Sequence, residues 1–175
     1  RSDLFFYKPE ADKFARIPIL TEKEKENPIN LTKLCLVPDW GILVGTDRAG
    51  LKFYDRHNRK TETVIPDIQV RDIKQCSENT YWIASESGVY ILNMADRSIT
   101  HLQKSLTNEY TISDNAAYSI TKDREGGIWV TTFFGGINYL PKEYVPFKYF
   151  IGGKTHPGMP GNAVREICPD RYGNL

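Results

Sequence analysis

Asp123-Arg124-Glu125-Gly126-Gly127-Ile128-Trp129-Val130-Thr131-Thr132 is the stretch on which the fold turns. An Asp opens a tight turn, glycines close it, and an apolar, β-branched run around a tryptophan follows; this is a turn feeding a buried strand. Sliding the sequence over itself with Trp129 as anchor places Ala117, Ile120, Trp129, Val130, Thr131 and Thr132 on Val70, Ile73, Trp82, Ile83, Ala84 and Ser85. The same residues fall again on Leu31, Leu34, Leu43, Val44, Gly45 and Thr46. Leu43 and Trp82 are 39 positions apart, Trp82 and Trp129 are 47 apart. A repeat of about forty residues has the length of a four-stranded propeller blade.

Each unit reads as four short antiparallel strands, A to D. Strand A carries the pairs Leu31/Leu34, Val70/Ile73, Ala117/Ile120 and, in a further copy, Val164/Ile167. Strand B runs over 42–46, 81–85 and 128–132, and loops ending in Gly50, Gly88 and Gly136 lead to strand C at 51–54, 89–92 and 137–140. Strand D is weaker, at 61–65, 99–102 and 147–150, as suits an outer strand wetted on one side. Leu4-Phe5-Phe6-Tyr7 overlays Leu51-Lys52-Phe53-Tyr54. The expected class is therefore all-β, a β-propeller fragment of antiparallel four-stranded blades. Residues 1–26 would hold the second half of a blade (strands C and D) and a charged loop. Blades would occupy 27–66, 67–112 and 113–159, and 160–175 would start another. Thr21 and Glu24 have capping-box spacing, but Pro28 leaves room for a turn or two only, so 21–27 reads as a solvated charged loop.

Composition removes other classes. The 175 residues carry a net charge of +1, so no global basic field points to nucleic acid, and no contact with it is expected. No apolar run reaches the roughly 18 residues of a membrane span. Cys35, Cys76 and Cys168 form no Cys-x-x-Cys pair and the three histidines are scattered, which argues against a zinc site or a disulfide framework. They read as small buried thiols, and no cofactor or metal is implied.

Asn115-Ala116-Ala117-Tyr118-Ser119-Ile120, the Asp123–Thr132 stretch and Gly135-Gly136-Ile137-Asn138-Tyr139-Leu140 together resemble the two-component regulator propeller repeat. Asn162 to Ile167 and Asp170 to Leu175 echo it, while Leu43 in place of Trp and Cys76 in place of the turn Asp depart from it. The resemblance implies the periplasmic sensor region of hybrid two-component histidine kinases of gut Bacteroidetes. Such a region binds an oligosaccharide, signals across the membrane and controls glycan-utilisation genes. It implies as partners the rest of the propeller and sensor domains and a second copy of the parent, a homodimer. Membrane attachment and histidine kinase activity would lie in segments of the parent outside these residues.

In an antiparallel four-stranded blade the D–A and B–C connections emerge on one face. That face carries Asp47, Arg48, Glu86, Ser87, Asp114, Asn115, Tyr110, Phe133 and Phe134. Arg48, Tyr110, Asn115, Phe133 and Phe134 are the ligand-binding candidates, because aromatic faces stack on sugar C–H surfaces and polar groups bond hydroxyls. The bland alternative for each is packing on the next blade, or ordinary surface. Trp82 and Trp129 read as packing between blades. Strand A offers Thr32, Arg71, Asp72, Tyr118, Ser119, Arg165 and Glu166, polar but without a repeating acid pair, so no catalytic residue is assigned. A carbohydrate-active propeller enzyme (a lyase or sialidase-like hydrolase) and a protein-interaction propeller stay open as alternatives.

Overall fold

The structure, a computed structural model, describes residues 3–108, 111–142 and 166–172. The chain divides into two compact units, Arg1–Glu143 and Tyr144–Leu175. In the first unit, β1 (Leu4–Lys8) and β2 (Lys13–Ile17) form a hairpin. Blade 1 comprises β3 (Leu31–Val37), β4 (Gly41–Thr46), β5 (Leu51–Asp55) and β6 (Lys60–Ile65), hydrogen-bonded in that order. Blade 2 repeats the order with β7 (Val70–Gln75), β8 (Thr80–Ser85), β9 (Gly88–Asn93) and β10 (Ile99–Leu102). Blade 3 has β11 (Ala117–Lys122), β12 (Ile128–Thr132) and β13 (Ile137–Leu140). All pairings are antiparallel, and helix among the described residues amounts to two 3-10 turns, Pro9–Ala11 and Glu24–Glu26. The architecture is a partial β-propeller. Tyr110, the strand expected at 147–150, Val164 and Gly173 lie outside the described residues. In the second unit, residues 166–170 carry no strand and end in a turn where Asp170 Oδ1 accepts from the Tyr172 amide at 2.8 Å; Ile167 is exposed.

Strands β4 and β8 are buried almost throughout because blades 1 and 2 are covered on both faces. Alternate side chains of β8 serve different neighbours. Tyr81 and Ile83 meet Leu43, Leu51 and Phe53 in one core, together with Val70 and Ile73. Trp82 and Ala84 turn the other way and meet Ala117, Ile120, Ile128 and Val130 in a second. A third cluster joins Ile17 and Ile19, beyond the hairpin, to Val44 of β4, with Leu4 packed against it.

Each B–C loop is closed by the last hydroxyl of strand B. Thr46 Oγ1, Ser85 Oγ and Thr132 Oγ1 donate to the carbonyls of Gly50, Gly88 and Gly136 at 2.7, 2.8 and 3.1 Å. Gly50 has φ +76°, and a Cβ there would fall 2.0 Å from the Ile65 carbonyl oxygen, so no other residue fits that turn. On the opposite side, Arg97 adopts φ 62° in the C–D turn of blade 2. Its guanidinium lies 4.9 Å over the Phe53 ring and 3.1 Å from Glu62, both on blade 1.

Three expectations need correction. The 21–27 segment is more than a solvated loop. Thr21 Oγ1 accepts from the Glu24 amide at 3.3 Å while Glu24 Oε2 accepts from the Thr21 amide at 2.8 Å, a formed capping box. Glu24 is recruited because Lys52 sits on an inner strand, 2% exposed, and a buried ammonium requires a counter-charge; Glu24 and Thr63 supply its bonds. Among the described residues, Trp129 is not packed as Trp82 is. Trp82 is 8% exposed under blade 3, whereas Trp129 is 40% exposed, and no described sheet covers that face of β12. Its Nε1–H donates instead to Asp123 Oδ2 at 2.9 Å, and its ring lies 4.3 Å from that of Tyr139. Finally, the thiols are free but not uniformly buried: Cys76 is buried, Cys35 half-buried and Cys168 exposed.

Candidate ligand-binding face

The first residue of each B–C loop is tied to the residue just before strand A. Asp47, Glu86 and Phe133 donate their amides to the carbonyls of Asn30, Gln69 and Ala116 at 3.1, 3.3 and 2.9 Å. The D–A and B–C connections therefore share one face in every described blade, because these bonds satisfy backbone groups that leave the sheet there.

On this face each strand A is interrupted at the same point. Leu31 pairs with Thr46 and Lys33 with Gly45, which leaves Thr32 unpaired. Arg71 is left unpaired between Val70 and Asp72, and Tyr118 between Ala117 and Ser119. A bulge re-aims the side chain of its extra residue. Arg71 Nε and Nη2 bond Glu86 Oε1 at 2.6 and 2.5 Å, and the guanidinium lies 4.8 Å over the Tyr118 ring. Tyr118 and Phe133 are 5.5 Å apart, and Phe133 and Phe134 meet edge to face at 4.5 Å. The Phe134 amide donates to Asp114 Oδ2 at 3.0 Å, which holds the loop while the rings of Phe133 and Phe134 stay 60% and 83% exposed. Such a strip offers stacking surface next to hydrogen-bonding groups already oriented by each other.

One residue further along strand A lies a second set. Lys33, Asp72 and Ser119 occupy the same repeat position, and Asp72 bonds both of the others, which ties three blades. Asp72 Oδ1 is 2.8 Å from Lys33 Nζ, and Asp72 Oδ2 accepts from Ser119 Oγ at 3.2 Å and from the Ile120 amide at 2.9 Å. Strand A is the inner edge of its sheet, so its outward amides have no strand partner, and the Asp72 carboxylate caps one of them. These residues line a cleft of about 610 Å³ between β3, β7 and β11.

The candidates named from sequence are dispersed. Phe133 and Phe134 are adjacent and exposed. Arg48 is exposed in the blade 1 loop at the position Phe134 holds in blade 3, with blade 2 between them. Among the described residues, no hydrogen bond, ion pair or ring contact joins it to the aromatic strip. Asn115 is tied into the fold by two bonds: its Oδ1 accepts from the Lys104 amide at 2.7 Å and its carbonyl from the Ala117 amide at 2.8 Å. Tyr110 lies outside the described residues. The residues that sequence reasoning passed over are Arg71 and Tyr118, which it weighed only as catalysts. Their signal is columnar: Thr32, Arg71 and Tyr118 share one repeat position, just before Lys33, Asp72 and Ser119.

No curated protein matches the chain in sequence. Residues 111–134, which span β11, the Asp123 turn, β12 and the Phe133–Phe134 pair, match the family described as two component regulator propeller. This segment is similar to a regulator-propeller repeat. Two crystal structures of the extracellular domain of BT4673 from B. thetaiotaomicron resemble the chain in fold. One is described as a one component system and the other as a hybrid two component system. Each has a TM-score of 0.66 and 18% identity over 79% of the chain. The chain spans only 18% and 19% of those structures, so the likeness concerns the propeller fold alone. No helix among the described residues is long and apolar enough to cross a membrane.

Proposed function

We propose that the chain is part of the extracytoplasmic, periplasmic propeller of a hybrid two-component sensor histidine kinase, and that it helps bind an oligosaccharide reversibly. The blades of this reading are 27–66, 67–112 and 113–159. The kinase, the membrane segment, the control of glycan-utilisation genes and the pairing of two parents belong to the longer protein. The observation that carries the reading is the regulator-propeller repeat at 111–134, which ends in the exposed Phe133–Phe134 pair beside Tyr118. Binding without chemistry is supported by how the carboxylates of this face are engaged. Asp72 is held by Lys33 and two amides, Glu86 by Arg71 and Asp114 by the Phe134 amide, and no bond among the described residues joins two of them as a shared acid–base pair would.

Titration of the intact extracytoplasmic region with a glycan panel tests this. Phe134→Ala should weaken the bound glycan about tenfold, the worth of a stacked ring. The melting temperature should barely move, because the ring is 83% exposed. Cleaved or eliminated product after long incubation would replace the sensor reading with an enzyme. A large loss of stability would move Phe134 into the core.

A further inference from the structure

We infer that the face selects an uncharged glycan, and that the Arg71–Glu86 pair reads two neighbouring hydroxyls while Phe133 and Phe134 take the ring. The inference rests on the glycan-binding reading above and narrows it to a chemical class. Arg71 Nε and Nη2 both converge on Glu86 Oε1. The two N–H groups of Nη1 are left over, and Oε2 accepts nothing among the described residues. The ion pair therefore keeps one open guanidinium edge and one open carboxylate oxygen, one donating and one accepting, each side chain held by the other. Vicinal hydroxyls, of which each both donates and accepts, match that pair.

Charge decides against an acidic sugar. Glu86 already neutralises the cation nearest the aromatic strip, so a ligand carboxylate or sulfate on the open Nη1 edge would meet no net positive charge. Asp114 stands at the other end of the strip, with its Oδ2 on the Phe134 amide, and adds a second negative group. A uronic acid or a sulfated sugar would thus approach two carboxylates for one compensated guanidinium. A neutral pyranose meets no such opposition. Its C–H face stacks on rings that are 60% and 83% exposed. Tyr118, between guanidinium and Phe133, keeps the polar and aromatic ends of the strip in register.

The test is calorimetric titration of the intact extracytoplasmic region with matched neutral and uronic-acid-bearing or sulfated oligosaccharides, at low and high salt. A neutral glycan should bind with an affinity that salt leaves almost unchanged. Arg71→Met and Glu86→Gln should each weaken it about tenfold, the loss of one charged hydrogen-bonding group. Should Arg71→Met fail to fold, Glu86→Gln gives the same reading from a more conservative change. Binding of acidic glycans alone, a steep fall with salt, or tighter binding by Glu86→Gln would overturn the inference and leave glycan sensing intact. Absence of binding by every glycan of both classes would overturn the sensing reading, and this inference with it.

Discussion

Replacing Asp72 by Ala should loosen three blades at once. The carboxylate is 8% exposed and takes the Ile120 amide at 2.9 Å and the Ile73 amide at 2.9 Å, as well as Ser119 Oγ and Lys33 Nζ. Ile120 and Ile73 are 2% and 3% exposed, so water does not take over at their amides. Each buried amide left without an acceptor costs about 1–3 kcal/mol. Lys33 is 45% exposed, so its ion pair adds about 1 kcal/mol at most. The expected loss is about 2–7 kcal/mol, a large part of the stability of a typical domain. Asp72→Asn keeps one acceptor and should lose roughly half as much. Urea denaturation of the intact protein measures the total, and hydrogen exchange at the Ile120 amide locates it. A loss below about 1 kcal/mol for Asp72→Ala, with Ile120 equally protected, would refute the reasoning.

Two further outcomes follow from the charged and thiol groups. Burial raises the Glu24 carboxyl, but bonds from Lys52 and Thr21 outweigh it and hold the folded value below the ordinary 4.5. The unfolded chain then takes up the proton first, so the contribution is complete above 4.5 and fades as pH falls through the folded value. Melting temperatures from neutral pH to pH 3 should therefore drop less steeply for Glu24→Gln than for the native chain, and equal slopes would remove Glu24 from the acid response. Burial pushes the Cys76 thiol up to about 11. A thiol reagent at pH 8, read by peptide mass spectrometry, should label Cys168 at once and Cys76 only after denaturation; equal rates would contradict the packing around Cys76.

Strands A, B and C were legible because their signals are local: an apolar pair, a turn with Asp and Gly, a β-branched run. The repeat then supplied the order of pairing, and the B–C loops recurred with the same Gly and the same hydroxyl. What stayed hidden depends on neighbours distant in sequence. Trp82 and Trp129 are identical in local pattern and differ only in what lies against them. Buried Lys52 is paired by Glu24, 28 positions away in sequence. The aromatic strip was half visible: Phe133-Phe134 stands out as an exposed pair, whereas Arg71 and Tyr118 lie 47 positions apart and meet only because blades 2 and 3 stack. Arg48 lies on the same face, two blades from those rings.

Because Thr32, Arg71 and Tyr118 have no partner on strand B, the alternation of strand A restarts after them. Exchanging any of the three leaves the strand pairing, the loop hydroxyls and the packed faces in place. On the proposed reading, recognition and folding are written in separate alphabets along one strand. A lineage could then revise what such a mouth accepts one blade at a time, like changing the pins of a lock cylinder while its barrel is kept.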